Sequence, residues 1–431
     1  MNTYINKKIA IYLLIYISFI ISFILGENSS GGSLKDFYQM KTFQAEVSKN
    51  ISEGISHFIK RGQGHSPIFY VIKAILEKFF NEVSVRIIFL SLSFSIPLVF
   101  YTILKKNFRG LDKNLLFLIS LTLYLSPYIR SSAAWGTNDN FATLFFLLSL
   151  SKFISFTTSE KKQIKDTLLC SIYLIIATYT RQYYLIIFVF YGFFLLKNND
   201  VKLFFNIVLF NLVLLTPGFI YLYKFFYFNF FINTYHNYVS SGFLELNIIF
   251  KLLIFLNLYL FYILPFFVNL DSYNVIKKYI KNNKIYLLIA ALIFIIIYFN
   301  FTMVDIRFGG GIFYKISLLL NSKLFLILSS FIGLLLILVT INLSFRNLFI
   351  LVVFFFMFPF SIIYQKYYDP MMIIIFFGFI KSNLIYNNIN LKKINMLFVF
   401  IYFLTFLIGA NIYNLNQKIL PSDTFIFDDN S

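Results

Sequence analysis

The sequence predicts an all-α fold: a polytopic transmembrane helical bundle of about 11 to 13 spans, with two interfacial helices in its first outer loop. Two observations carry this prediction. Of the 431 residues, 59% are hydrophobic and 13% are charged, with a mean hydropathy of +0.78, whereas a soluble domain is about half apolar and about a quarter charged. The apolar residues also gather in runs of about 17 to 25, the length that a helix needs to cross a bilayer.

Thirteen apolar runs are predicted to span the membrane. The first has the length of a spanning helix and no small-x-small cleavage motif follows it, so we interpret it as a retained helix rather than a signal peptide. Residues 1–413 are expected to form one membrane domain, and residues 414–431 a short tail on the outer side. The runs lie near residues 9–25, 84–104, 114–129, 138–156, 167–180, 183–197, 203–222, 249–268, 285–304, 324–341, 347–364, 370–381 and 394–412.

The net charge of +19 follows the membrane topology and does not indicate a nucleic-acid partner. With the N-terminus inside, basic residues concentrate in alternate loops, as the positive-inside rule predicts for cytoplasmic loops. The unusual polar clusters then all fall on the opposite, outer face. The basic loop residues are Lys105, Lys106 and Arg109; Lys161, Lys162 and Lys165; Lys277, Lys278, Lys281 and Lys284; and Lys392 and Lys393.

Cysteine and histidine usage narrows the chemistry. The single cysteine, Cys170, lies in an apolar run, which excludes disulfides, cysteine-based zinc sites and redox pairs within the chain. The three histidines, His57, His65 and His236, lack a metal-ligand spacing. No cofactor is indicated, and a divalent metal is compatible with the chemistry without a motif to support it.

The first outer loop, residues 26–83, is predicted to contain two helices. After Phe43, apolar residues recur at helical spacing, which is typical of a helix lying in the interface plane. Further on, Ser66 is placed to cap and Pro67 to open a second short helix, ending near Phe80 and too charged to span.

Asp36 is the candidate catalytic residue. It follows the first helix within a polar, glycine-containing stretch, where a carboxylate can act as the general base that removes a proton from an attacking hydroxyl. Glu27, nine residues earlier, is the alternative acid. The structural alternative for Asp36 is an ordinary solvated acid in a polar loop.

The other outer-face clusters each have a structural alternative. Asp139 lies in the first turn after a Thr137 or Asn138 cap, and capping explains that acid but not the nearby Arg130 and the only tryptophan, Trp135. Asp369 followed by Pro370 reads as a helix N-cap.

Arginine and lysine residues on the same face suit an anion. Arg181 interrupts about thirty apolar residues and has a fork geometry that matches phosphate, although it could also snorkel at a turn. Arg307 and Lys315 flank three consecutive glycines, an exposed-amide loop or a flexible hairpin. The predicted donor-phosphate site comprises Arg181, Arg307, Lys315 and Lys366, and the predicted sugar and acceptor pocket comprises Arg130, Trp135, Asp139, Gln182, Tyr367, Asp369 and His65.

In the order of these parts, the chain resembles the GT-C superfamily of integral membrane glycosyltransferases, which use polyprenyl-phosphate-linked sugars. The shared features are a first helix, an acid soon after it, a long first outer loop with two interfacial helices, and many further spans. The resemblance implies that Asp36 matches the first-loop catalytic acid, and that Arg181-Gln182 is similar to an Arg-Gln element of dolichyl-phosphate-glucose glucosyltransferases. The family often has two adjacent acids in this loop, whereas Glu27 and Asp36 are well separated, so both remain candidates.

The function that this resemblance implies is transfer of a hexose or pentose from a polyprenyl-phosphate donor to a hydroxyl acceptor on the non-cytoplasmic face. The acceptor would be a glycan, a lipid-linked saccharide or a protein. The alternatives are a polysaccharide polymerase or ligase, and a transporter of lipid-linked saccharides, which would have a midplane cationic cavity and repeated halves. The scarcity of long soluble segments favours the bacterial inner membrane.

Overall fold

The computed structural model describes residues 2–60, 66–159, 164–197, 201–226, 248–303, 309–341, 344–358, 363–382 and 393–415. Within these ranges every regular element is a helix, so the predicted all-α class is confirmed. The α-helices of the first half are α1 Asn2–Ile24, α2 Ser33–Lys49, α3 Ile51–Lys60, α4 Ile68–Phe79, α5 Glu82–Asn107, α6 Lys113–Leu121, α7 Pro127–Trp135, α8 Asn138–Thr158, α9 Ile164–Thr180 and α10 Ile187–Lys197. Those of the second half are α11 Val201–Phe226, α12 Ile248–Ile263, α13 Leu270–Asn282, α14 Lys284–Asn300, α15 Gly311–Leu319, α16 Lys323–Ile341, α17 Phe345–Phe356, α18 Gln365–Tyr368, α19 Met371–Gly378 and α20 Lys393–Leu415.

The described helices fit a multi-pass membrane protein. Six of them are long and apolar enough to cross a bilayer, and eight segments qualify if each of two bent helix pairs forms one span. Three shorter apolar helices, Lys8–Ile24, Gln182–Lys197 and Phe345–Phe356, accompany them. Length and apolar character together therefore support a polytopic bundle in lipid.

One of the predicted spans is a short buried helix in the structure. The run at 370–381 forms α19, which has eight residues, all of them buried. At 1.5 Å per residue it is about 12 Å long, less than half the thickness of a bilayer core. A helix that is apolar all round can be buried in protein as well as in lipid, and here it lies in the core of the bundle.

Another predicted span is broken at a position that the apolar pattern did not reveal. The run predicted at 114–129 breaks at Ser126, and the axes on either side differ by 61°. The Ser126 side chain accepts a hydrogen bond from the Ile129 amide at 3.1 Å, and Pro127 occupies the first helical turn. Proline has no N–H to continue a preceding helix, so α7 starts in a new direction. It ends at Gly136, whose φ of +60° suits a residue without Cβ.

Helices α12 and α16 pack closely against each other within the bundle. A Cβ added to Gly333 would lie 2.2 Å from the carbonyl oxygen of Leu256, so the two backbones approach where only glycine fits. Beside this point the Asn257 amide donates to Ser330 Oγ at 2.7 Å. Small residues and interhelical hydrogen bonds of this kind join membrane helices.

The helices of the first loop form a smaller cluster at one end of the bundle. The predicted single helix after Phe43 is instead two, α2 and α3, because Asn50 ends the first and its side chain accepts from the Ser52 amide at 3.0 Å. The second predicted helix is present as α4. Phe37 and Phe43 of α2 pack with Phe69 of α4 and Phe89 of α5, which fixes α2 over the end of the main bundle.

Candidate functional site

One polar pocket opens at the end of the bundle where the first-loop helices lie. It has a volume of about 430 Å³ including its open mouth. Side chains from four separate parts of the chain converge on it, so the pocket exists only in the folded bundle. Its walls are Ser30, Ser33, Tyr128, Ile129, Asp139, Asn140, Thr143, Tyr183, Tyr184, Lys366, Tyr367, Asp369, Pro370 and Met371.

An ion pair joins the first loop to this pocket. Lys366 Nζ lies 3.3 Å from Asp36 Oδ2. Asp36 occupies the first turn of α2, one turn after the pocket residue Ser33, and a carboxylate there also favours the helix dipole. Burial alone would lower the pKa of the Lys366 ammonium, but the carboxylate of Asp36 holds this pKa above its ordinary value. Lys366 is therefore a cation on the pocket wall, and Asp36 is a carboxylate at the rim.

A second ion pair adjoins the same pocket: Asp139 is a wall residue, and its partner Arg181 is not. Arg181 Nη2 approaches Asp139 Oδ1 to 2.7 Å, and the arginine side chain is 6% exposed. Arg181 sits between α9 and the 3-10 helix Gln182–Ile186, while Asp139 comes from the first turn of α8. Burial opposes the charge of Arg181, but Asp139 raises its pKa above the ordinary value. Asp139 thus has a partner beyond the helix dipole, which capping alone did not predict.

Tyrosine rings connect the two ion pairs. Tyr183 and Tyr367 meet edge to face with ring centroids 6.0 Å apart, and Lys366 Nζ lies 5.5 Å from the centre of the Tyr367 ring. Behind them the hydroxyls of Tyr184 and Thr143 are 3.1 Å apart. Rings with hydroxyl groups present both flat apolar faces and hydrogen-bonding atoms to a ligand.

Asp369 closes the inner wall of the pocket. Its residue is 3% exposed, and its carboxyl accepts hydrogen bonds from Ser126 and Tyr262. Burial raises the pKa of this carboxyl to about 7, although the two hydrogen bonds act in the opposite direction. The predicted N-cap role is wrong, since α19 begins at Met371 with Pro370 in the capping position. The side chain turns instead toward the start of α7 and toward α12.

Three predicted site residues form a separate cluster beside the pocket. Glu27 Oε2 pairs with Arg130 Nε at 3.1 Å, and Arg130 also donates to the hydroxyl of Ser22. Trp135 Nε1 donates to the Glu27 carbonyl at 3.0 Å. None of the three is a wall residue of the pocket. Successive helix residues are rotated by about 100°, so Tyr128 reaches the pocket while Arg130, two positions later on α7, faces α1.

Contacts in and around this separate cluster hold the loop before α2 in position. Ser29 Oγ lies 2.8 Å from both Glu27 Oε1 and the Pro127 carbonyl oxygen, which share its single hydroxyl proton, and the Asn414 amide of α20 donates to the Ser29 carbonyl at 2.8 Å. Ser30 Oγ lies 3.0 Å from Ser131 Oγ. The loop before α2 is therefore tied to α7 and α20, and Asp36 is held at its place by these ties.

The remaining predicted residues fall elsewhere. Lys315 Nζ donates to Tyr413 OH at 3.2 Å, away from the pocket walls. Gln182 begins the 3-10 helix next to Arg181 and does not line the pocket. Arg307 and His65 lie outside the described residues. Of the predicted phosphate residues, the structure thus brings Arg181 and Lys366 together.

Several wall residues were missed by sequence reasoning. Tyr128, Tyr183 and Tyr184 lie two or three positions from residues that were selected for their charge, and this proximity was the only available signal. In a chain with 31 tyrosines, individual tyrosines do not stand out. No group of three or more His, Cys, Asp or Glu side chains that could hold a metal ion occurs among the described residues.

The fold and the pocket define a class: a multi-pass, all-α membrane protein with a charged, tyrosine-lined pocket at the end of its bundle. The chain matches no protein-family model, no curated protein and no solved structure. The function is therefore argued from the chemistry of the pocket.

Proposed function

We propose that this protein is a membrane glycosyltransferase of the GT-C type, which moves a sugar from a polyprenyl-phosphate donor to a hydroxyl acceptor. The observation that carries the proposal is the pairing of Asp36 with Lys366, next to the pair of Asp139 with Arg181, around a single pocket. A carboxylate and two cations at one membrane-protein surface are the groups that such a reaction requires.

The cations fit the phosphate of the donor. Arg181 offers a planar fork for two phosphate oxygens, and Lys366 offers a compact charge. Each already faces a carboxylate, so the charge of each cation is compensated before the donor enters. At 4 Å, the attraction between unit charges is about 4 kcal/mol at an intermediate dielectric. Either cation could therefore stabilise the negative charge on the departing phosphate substantially.

The tyrosines of the pocket are suited to contact the sugar, and the bilayer is suited to hold the lipid tail of the donor. Tyr128, Tyr183 and Tyr367 present ring faces and hydroxyls, the surfaces on which the apolar faces and hydroxyls of a sugar can rest. The apolar helices around the pocket leave the polyprenyl tail in lipid while the phosphate and sugar reach the polar end.

The reaction follows from these positions. Asp36 accepts the proton of the acceptor hydroxyl, whose oxygen forms a bond with the anomeric carbon. The bond between that carbon and the phosphate oxygen breaks, and the electron pair leaves with the phosphate. Lys366, released from Asp36 as the latter becomes neutral, and Arg181 stabilise the charge on the departing polyprenyl phosphate.

The distribution of basic loops supports a non-cytoplasmic position for the pocket, and the scarcity of long soluble segments favours a bacterial inner membrane. The Lys152–Asp166 ion pair at 3.1 Å lies at the other end of the bundle, near the start of α9, whereas Arg181 follows its last residue. This pair provides a matched control because it has the same chemistry on the same helix, about 20 Å from Arg181.

The test uses purified protein in lipid nanodiscs and a panel of radiolabelled polyprenyl-phosphate hexoses and pentoses, with membrane glycans as acceptors. We expect label to leave one donor for an acceptor with the native protein and with Asp166→Asn, and transfer to be abolished with Asp36→Asn, which still binds the donor. Full transfer by Asp36→Asn refutes the assignment of the base. Movement of intact donor across sealed vesicles without loss of its sugar supports the transporter alternative instead.

A further inference from the structure

Asp369 has a feature that its structural contacts do not explain. Its side chain is almost fully buried and lines the pocket. Ser126 and Tyr262 hydrogen-bond to the carboxyl, yet its Oδ2 atom is buried without a hydrogen-bond partner among the described residues. A carboxyl that served only to join α7 to α12 would need the Ser126 and Tyr262 contacts alone.

A buried polar atom without a partner is unfavourable, and native structures satisfy almost all such atoms. In a binding pocket the missing partner is commonly the ligand. Helix capping does not satisfy this oxygen either, since the capping position of α19 is occupied by Pro370 and no side chain caps the helix. Asp369 is a wall residue of the pocket, together with Tyr128 and Lys366, so a bound ligand would lie against this carboxyl group.

We propose that Asp369 is the sugar-specificity residue of this pocket, binding one hydroxyl of the transferred sugar through its carboxyl group. The proposal rests on the proposed function and adds a recognition group to it. Lys366, three residues earlier on α18, faces Asp36 and the phosphate, so the two residues place the phosphate and the sugar of one donor side by side.

Burial supports this assignment because it lets the carboxyl act as either a hydrogen-bond donor or an acceptor. With a pKa of about 7, Asp369 is present in both forms near neutral pH. The neutral carboxyl can donate its proton to a sugar oxygen, and the ionised carboxyl can accept the proton of a sugar hydroxyl. Recognition by a single buried polar group discriminates strongly against analogues that lack the matching hydroxyl.

The experiment compares native protein with Asp369→Ala and Asp369→Asn on polyprenyl-phosphate glucose, mannose and galactose and on their single-deoxy analogues. For the preferred donor we expect Asp369→Ala to lower kcat/KM by about tenfold to a hundredfold. For the one deoxy analogue that lacks the bound hydroxyl, the native protein and Asp369→Ala should have equal kcat/KM. Asp369→Asn keeps the shape of the side chain and should retain part of the discrimination.

A role in folding alone would give a different pattern. An equal loss on every donor and every deoxy analogue, in variants with the same unfolding temperature as the native protein, overturns the proposal. If Asp369→Ala does not fold, Asp369→Asn answers the same question through its donor dependence.

A binding measurement separates this inference from the proposed function. We expect native protein to bind polyprenyl-phosphate sugar more tightly than bare polyprenyl phosphate, and Asp369→Ala to lose that difference. If no donor reacts but this affinity difference behaves as expected, the transferase proposal fails and the sugar site stands. If transfer occurs and Asp369→Ala keeps the full affinity difference, the sugar site fails and the transferase stands.

Discussion

Asp36 and Lys366 are 330 positions apart in the sequence, yet their side chains form an ion pair of 3.3 Å beside the pocket. The side chains are 32% and 23% exposed respectively. Ion pairs with this degree of solvent contact contribute about 0 to 1 kcal/mol to stability. The pair therefore contributes little to the free energy of folding.

The first prediction concerns the lysine of this pair. Lys366→Gln should lower the rate of sugar transfer by about 10² to 10³, because one cation that stabilises the leaving phosphate is lost. Lys366→Arg keeps the charge and should retain more activity than Lys366→Gln. Both rates are measured with the preferred polyprenyl-phosphate donor in nanodiscs.

Lys152→Gln is the matched control, since it removes the lysine of an ion pair at the other end of the bundle. It should leave transfer unchanged. Equal losses for Lys152→Gln and Lys366→Gln would mean that both act through stability and that Lys366 does not meet the phosphate.

A second prediction separates the buried ion pair from the exposed one. Asp139→Asn leaves the almost fully buried Arg181 without its carboxylate, and breaking a buried pair in this way costs about 3 kcal/mol or more. Thermal unfolding in detergent should show a lower midpoint than for native protein. The double variant Asp139→Asn with Arg181→Gln should regain part of the loss, because the uncompensated charge is gone. Additive losses would contradict this interpretation.

A third prediction decides between the two acids of the first loop. Glu27 faces Arg130, Ser29 and Asn411 and not the pocket. Glu27→Gln should therefore destabilise the protein, by about 3 kcal/mol for a buried pair, while the folded fraction keeps its kcat. Activity is normalised to folded protein by size-exclusion chromatography. Loss of kcat at an unchanged unfolding midpoint would transfer the role of base from Asp36 to Glu27.

A fourth prediction tests the packing that holds the bundle together. In Gly333→Ala the new methyl group would meet the carbonyl of Leu256, so α12 and α16 must separate and the protein should lose about 1 to 3 kcal/mol of stability. Gly409→Ala on α20 is the control because nothing lies within 4 Å of its Cβ position. Alanine is a better helix former by about 1 kcal/mol, so this control should be neutral or stabilising. Equal effects on the unfolding midpoint would contradict the close approach.

The apolar pattern predicted the fold because lipid requires long apolar helices, and their length can be read directly from the sequence. It predicted less well where burial in protein replaces burial in lipid. The residues of α19 have the composition of a span but belong to a short core helix. The break at Ser126 depends on a cap and a proline, which interrupt a helix without interrupting its hydrophobicity.

The site was predictable in part. Charged residues are costly in an apolar chain, so five of them were selected from the sequence. Asp139, Lys366 and Asp369 line the pocket, and Asp36 and Arg181 form ion pairs with two of these wall residues. Which of them pair could not be predicted, because pairing depends on contacts between distant segments. The positions of Arg130 and Trp135 also depend on the direction of α7, which the helix break at Ser126 changes.

The last prediction concerns pH and Asp369. Its pKa is raised from 3.8 to about 7 by burial, so between these values the folded protein binds more protons than the unfolded chain. The free energy of unfolding should therefore fall as pH rises from about 4 to about 7 and change little above, by an amount on the order of 4 kcal/mol at most. The groups that face this carboxyl are Ser126 and Tyr128 of the α7 region and Tyr262 of α12.

Asp369→Asn isolates this contribution, because the amide has a similar shape and does not titrate. The tyrosines and Lys366 stay in one charge state over this range, so the native-minus-variant difference in unfolding free energy reports Asp369 itself. Thermal unfolding in detergent at about pH 4.5 and about pH 7.5 should show the variant gaining stability relative to native protein at the higher pH. A difference that stays constant between the two pH values would mean that the carboxyl titrates near its ordinary value, with a hydrogen-bond donor on Oδ2 even in the empty pocket.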